Sequence, residues 1–374
     1  MLRFLTSGES HGKCLVAILE GMVAGLKVTH ADIDVELARR QEGYGRGGRM
    51  TIETDKVEIL SGVRQDRTIG GPLALLVPNR DFKINELPVV KRPRPGHADL
   101  VGAVKYGRED VRDILERASA RETAARVAVG AVCKRFLAEF GVDVTSHVVE
   151  IGGVTADVSR LTASEIKKKS AGSPMHCADK EAERRMMARV DEAKLSRDTI
   201  GGVFEVIATG VPMGLGSFVH YDRRLSAKLC AALMSIQAVK GVEIGMGFGV
   251  SRNLGKDVHD EIHHDAKKGF YRKTNRAGGF EGGVTNGEDL VLRAATKPYA
   301  TLMSPLQSVN IESKKKEAAT VERSDVTAVP ACGVVGEAMT AFELAQAFLE
   351  KFGGDSLKET RRNFDGYLKQ VKEF

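Results

Sequence analysis

The segment 109–140, EDVRDILERASARETAARVAVGAVCKRFLAEF, constrains the fold more than any other stretch of this chain. Its apolar residues recur at helical spacing, and Ala118, Ala120, Ala124, Ala125, Ala128 and Ala131 leave a flank small enough for another backbone to approach closely. Such a helix belongs at the centre of a fold, buried on several sides. Arg117, Ser119 and Arg121 nevertheless fall near its middle, where charge is costly, so carboxylate partners or an anionic ligand must offset them.

The remaining pattern is mixed. Helices are predicted over 32–40, 164–169, 182–195, 226–236 and 334–352; the second follows the capping box Thr162 to Glu165, and the last ends at Gly353 and Gly354. Strands are predicted over 56–60, 73–77, 146–151, 202–207 and 290–293, most bounded by glycine or proline. Helices and strands do not alternate as in a doubly wound sheet, no fixed repeat is visible and no Ser/Pro-rich linker divides the chain. One compact domain over 1–374 is expected, with two tightly fused halves as the alternative.

Composition narrows the function. With 374 residues, 42% hydrophobic and 28% charged, the chain has the balance of a soluble protein with a sizeable core. No apolar run reaches the roughly 20 residues of a membrane span, and MLRFLTSGESHG lacks the pattern of a signal peptide, so a cytoplasmic location is expected. Five scattered cysteines without a CxxC suggest reduced thiols, not a disulfide framework or a zinc ribbon. A net charge of +6 points to an anionic partner, while 5% aromatics and no tryptophan disfavour a base-stacking site.

Several loops concentrate chemistry. GESHG matches the GxSxG nucleophile elbow with Ser10 at its centre, but nothing upstream builds the sheet an elbow needs. What survives is His11 in a tight turn, able to protonate or hydrogen-bond an anion. ARRQEGYGRGGRM satisfies GxGxxG at Gly43, Gly45 and Gly48, yet its glycines follow a helix instead of opening one, against a dinucleotide fold. Arg39, Arg40, Arg46 and Arg49 make it a cation-dense loop suited to phosphate or carboxylate, or else a solvated basic turn.

RPRPGHADL supplies His97 beside Arg92 and Arg94, whose repulsion is expected to favour neutral imidazole until an anion arrives. Glycine is dense again in QAVKGVEIGMGFG and AGGFEGGVTNGE, where backbone amides can approach a phosphate or a flat ring. HDEIHHD places His259 and His263 four apart, as zinc ligands on a helix would be, but its glutamate is misplaced for the HExxH motif, and no metal is expected.

Taken in order, GESHG, RRQEGYGRGGRM, RPGHADL, ERASARETAARVAVGA, DRRLSAK, QAVKGVEIGMGFG, GGFEGGVTNGE, KPYAT and VERSDVTAVPA resemble the chorismate synthase family over nearly the whole chain. The resemblance implies a lyase of aromatic amino acid biosynthesis that converts 5-enolpyruvylshikimate 3-phosphate to chorismate. Phosphate is eliminated across the 1,4 positions, with reduced flavin mononucleotide required and no net redox change. It implies an α+β fold of antiparallel sheets sandwiching a helical core, assembled as a homotetramer.

By motif, the resemblance makes His11, His97 and Asp325 catalytic: His11 towards the leaving phosphate, His97 at the flavin N1 and O2 edge, Asp325 for the proton lost from the substrate. It gives substrate contacts to Ser10, Arg40, Arg46, Arg49, Arg94, Arg121 and Arg323. Flavin contacts fall on Arg117, Ala118, Ser119, Gln237, Ala238, Gly282, Lys297, Pro298, Tyr299, Ala300, Thr301 and Arg323. Ala118 departs from relatives with serine at that position. If NADPH serves as external reductant, its contacts fall on Arg40 and Arg46. Two rivals remain: an RNA-binding protein, which the paired loop histidines do not suit, and a flavin oxidoreductase with net hydride transfer.

Overall fold

In the computed structural model the described residues are 1–47, 54–266, 269–322 and 324–374. Two open antiparallel sheets dominate the strands. The first has the order Arg3–Ser7, Cys14–Glu20, Leu73–Pro78, Glu58–Ser61. Leu15, Ala17 and Leu19 alternate with more exposed neighbours along one strand, and Leu73, Leu75 and Val77 along the next, so a period of two turns one face inward. The second sheet runs Val239–Ile244, Leu290–Thr296, Gly202–Thr209, Asp143–Ile151, Val154–Thr155.

Helices pack against both inner faces. Thr123–Ala138 lies on the first sheet, Val329–Phe352 on the second, and the two helices pack on each other. Close approach depends on Gly130: a Cβ there would stand 2.3 Å from the Ala338 Cβ and 2.4 Å from its Cα. Within the small-residue segment, Gly130 thus marks the face that meets the second helix. One continuous hydrophobic core joins both sheets and these helices.

The single helix expected over 109–140 is instead divided. Arg112–Ala118 ends at Ser119, which is extended with φ −63° and ψ 143°; a 3-10 turn, Ala120–Glu122, follows, and then Thr123–Ala138. Alanine favours an unbroken helix, but the break lets Ser119 accept a hydrogen bond from the Arg121 amide and turns both residues towards partners that a straight helix would miss.

Elsewhere the expected elements appear with shifted ends. Val329–Phe352 begins five residues before the predicted 334, with Pro330 tolerated in a first turn whose amides lack helical partners. A helix that the sequence pattern did not indicate, Leu357–Glu373, is capped by Ser356 and held by Phe364 against Phe140, Phe348 and Phe352. Asp99–Tyr106 is a further unanticipated helix. Among the described residues, no helix is long and apolar enough to cross a membrane.

Candidate active site

Segments far apart in the chain converge on one cavity of about 510 Å³, an ordinary size for a small-molecule site. Ser10 and His11 enter on the loop between the first two strands, Arg40 at the end of helix His30–Gln41, and Arg46 just beyond it. The break at Ser119 contributes Ser119 and Arg121; Arg94 and His97 come from the proline-rich loop. Gln237, Tyr299, Ala300, Thr301 and Asp325 complete the sequence-expected residues on its walls.

GESHG joins two antiparallel strands, with Ser7 opposite Val16 in the register. Cys14–Glu20 is a strand, not the helix a nucleophile elbow requires, so the hydrolase reading is overturned by geometry. Ser10 is buried and accepts a hydrogen bond from the Ser119 hydroxyl at 3.2 Å. His11 Nδ1 lies 3.0 Å from both carboxylate oxygens of Glu116, and its amide donates to Oε2 at 2.8 Å.

His97 has a similar companion. Its Nδ1 is 2.5 Å from Asp99 Oδ1, while Arg94 donates to Asp99 through Nε at 2.8 Å and Nη2 at 3.1 Å. Burial raises the Asp99 pKa, but hydrogen bonds from His97 and Arg94 outweigh it and hold the carboxyl far below its usual range. An ionised carboxylate only accepts, so Nδ1 carries the proton and Nε2 is left for the cavity. Asp99 is a carboxylate partner that the sequence reading of His97 did not include, and Arg94 Nη2 also lies 3.1 Å from Nδ1.

Asp55 performs the same service for two arginines. Arg40 Nη2 donates to Oδ2 at 2.8 Å, and Arg121 Nη1 to Oδ1 at 2.6 Å, with all three residues buried. Burial lowers the Arg40 pKa, Asp55 opposes that, and the cations Arg121 and Arg46 add to the lowering. Arg121 also donates through Nε to Asn79 at 2.8 Å. Asp325 accepts from the Gly47 amide at 2.6 Å and lies 3.2 Å from Arg46 Nη1. Lys83, unforeseen from the sequence, is a further cation on the wall.

Other expected residues stand elsewhere. Arg117 donates to the carbonyls of Gly8 and Thr6, tying its helix to the first hairpin, and neither it nor Ala118 lines the cavity. Ala238 and Lys297 border a small separate cleft that shares Tyr299, Ala328 and Cys332 with the cavity; Pro298 borders neither. Gly282 sits in the turn of the hairpin Phe280–Glu281 and Val284–Thr285, away from the cavity lining. Arg49 and Arg323 lie outside the described residues. His263 falls on a strand, Ile262–Asp265, instead of a helix, and no cluster of metal-ligating side chains occurs among the described residues.

Fold and site together place four arginines and two carboxylate-held histidines around one cavity, the arrangement of an enzyme active site. The chain belongs to the chorismate synthase family: the family model of that description matches residues 2–349. It is 57% identical to the chorismate synthase of Geobacter sulfurreducens and 51% identical to that of Bacillus cytotoxicus, with all of both chains covered in each comparison. A solved structure described as a crystal structure of chorismate synthase is 44% identical and superposes with a TM-score of 0.83, covering 100% of this chain and 99% of that one.

Proposed function

We propose that the protein is a lyase converting 5-enolpyruvylshikimate 3-phosphate to chorismate and phosphate by 1,4-anti elimination, with reduced flavin mononucleotide bound beside the substrate and no net redox change. The observation that carries this reading is the convergence of four arginines and two carboxylate-held histidines on one cavity. The substrate brings a phosphate and two carboxylates, and the flavin a further phosphate. Arg40 Nε and Gln237 Oε1 are buried without a hydrogen-bond partner among the described residues, as suits a wall that awaits polar ligands.

When bound, reduced flavin supplies transient electron density to the substrate ring. The chain's own groups do the rest. His11, with Nδ1 engaged by Glu116, presents Nε2 to the departing phosphate and donates its proton there. Arg40, Arg46 and Arg121 stabilise the negative charge that grows on the leaving group, with Ser10 beside them as a neutral donor. Asp325, held by Arg46 and the Gly47 amide, collects the proton lost from the ring. His97, on the cavity wall, would stand at the flavin N1 and O2 edge to hold its proton, and Ser119, Gln237 and Tyr299 to Thr301 would hold the cofactor.

NADPH, as external reductant, would meet Arg40 and Arg46, both of which line this cavity. The same reading makes 1–374 one domain built as a β-α-β sandwich in the cytoplasm, supported by the helix pair packed against both sheets. It also makes the protein a homotetramer. Leu5, Ile18 and Ala74 are neighbours across the outward face of the first sheet, and Leu5 is 73% exposed, an apolar surface that a second copy would cover.

An anaerobic assay tests the reaction: supply substrate and reduced flavin mononucleotide, then measure chorismate and phosphate. Equal amounts of both products with catalytic flavin are expected. No product from folded protein would sink the proposal, and reductant consumed in step with turnover would mark a net redox enzyme instead.

A further inference from the structure

The helix Arg112–Ala118 carries a carboxylate whose position has no structural need to coincide with a histidine loop. Glu116 nonetheless grips that loop at three points. Its backbone carbonyl accepts from the Ser10 amide at 3.0 Å, Oε2 accepts from the His11 amide at 2.8 Å, and both carboxylate oxygens lie 3.0 Å from His11 Nδ1. The Glu116 side chain is fully buried, whereas the His11 side chain keeps 13% exposure on the cavity wall.

The geometry points to Glu116 as the positioning residue that makes His11 a proton donor, fixing its ring through Nδ1 and setting a negative charge against it among the cations of the cavity. This rests on the elimination reading above. In the step concerned, the carbon–oxygen bond breaks with its electron pair going to phosphate oxygen, and the His11 Nε2 proton passes to the phosphate.

The charges around His11 explain why a carboxylate is needed. Lys83, whose amide donates to the His11 carbonyl at 3.0 Å, contributes a cation paired with Asp81. Arg46 and Arg121 stand on other walls of the same cavity, and Glu322 and Asp325 on a further one. Arg112 approaches Glu116 at 3.4 Å and Glu322 at 3.1 Å, so it balances Glu116 without displacing it from His11. Burial alone would neutralise Glu116, but its hydrogen bond and charge interaction with His11, then the His11 amide and Arg112, hold it ionised below the usual carboxylate range. Glu116 is thus the carboxylate placed directly on the His11 ring, with these cations on the surrounding walls.

Histidine-labelled full-length protein, followed by NMR across pH without substrate, tests this directly, with the His11 signal assigned by its loss in His11→Asn. The wild type should show neutral His11 as the Nδ1–H tautomer. Glu116→Gln keeps shape and removes charge; it should lower the His11 titration midpoint by about one unit or more. Its turnover should fall about 10-fold or more at pH 8 and recover towards pH 6, with KM little changed. Glu116→Asp should restore much of the titration.

An Nε2–H tautomer in the wild type would overturn the inference without any variant, as would an unshifted His11 midpoint in folded Glu116→Gln. Should Glu116→Gln not fold, the wild-type tautomer and Glu116→Asp still decide. Absence of wild-type turnover would remove the elimination reading while leaving the NMR result to stand, so the two failures are distinguishable.

Discussion

Asp55 meets Arg121 with both carboxylate oxygens, at 2.6 and 2.8 Å from the same Nη1. Arg40 shares that carboxylate, so one buried anion serves two buried cations and the cavity wall retains positive charge. Removing the anion by Asp55→Ala is expected to destabilise the fold by about 3–5 kcal/mol, the scale for orphaning a buried charge. Inorganic phosphate should recover part of the loss by supplying the missing counter-charge. Chemical denaturation with and without phosphate measures it; equal stabilisation of variant and wild type would mean that these arginines do not receive the anion.

Asp99 joins Arg94 to His97, and Arg94 also donates to Thr301 at 2.9 Å. The pair therefore couples the histidine loop to the segment Tyr299 to Thr301 on the same cavity. Asp99→Asn should lower anaerobic turnover about 10²-fold, comparable with His97→Ala, because the ring loses its fixed tautomer and its counter-charge. A near-wild-type rate in Asp99→Asn with a depressed rate in His97→Ala would separate the ring's role from its orientation.

These carboxylates mark the boundary of what the sequence reveals. Arginines gathered in glycine-bearing loops at 40, 46 and 94 announce an anion site locally, and the apolar run 73–77 behind Gly71 and Pro72 announces a strand. Asp55, Asp99 and Glu116 carry no such local signal, since their partners are fixed only when distant loops meet. The break at Ser119 was equally hidden: alanine content favours helix on both sides, and the tertiary partners of Ser119 and Arg121 decide the turn. That Arg121 would need either a carboxylate or an anionic ligand was legible; that Asp55 supplies the carboxylate was not.

Gly130 gives the contact between the two long helices an energetic test. A methyl group there meets the Ala338 backbone, which cannot rotate away as a flexible side chain could. Alanine's better helix propensity, worth roughly 1 kcal/mol, acts in the opposite direction. Overpacking at a helix contact of this closeness should prevail, leaving Gly130→Ala destabilised by about 1–3 kcal/mol in urea unfolding. A stability equal to or above wild type would show that the two helices separate without penalty.

Glu343, on the long helix Val329–Phe352, provides a pH test away from the cavity. Burial pushes its carboxyl up from the ordinary 4.5 to about 7, against a smaller opposing pull from Lys228. Because the folded value is raised, its favourable contribution is full below the unfolded value and is lost as pH rises through about 7. Glu343→Gln, neutral at every pH, should therefore match wild type near pH 4 and exceed it by about 1–3 kcal/mol at pH 9. Urea denaturation at the two pH values reads the difference. A gain that is the same at both would point to packing of the amide, and a loss at pH 9 would show that the ionised carboxylate is stabilised by its surroundings.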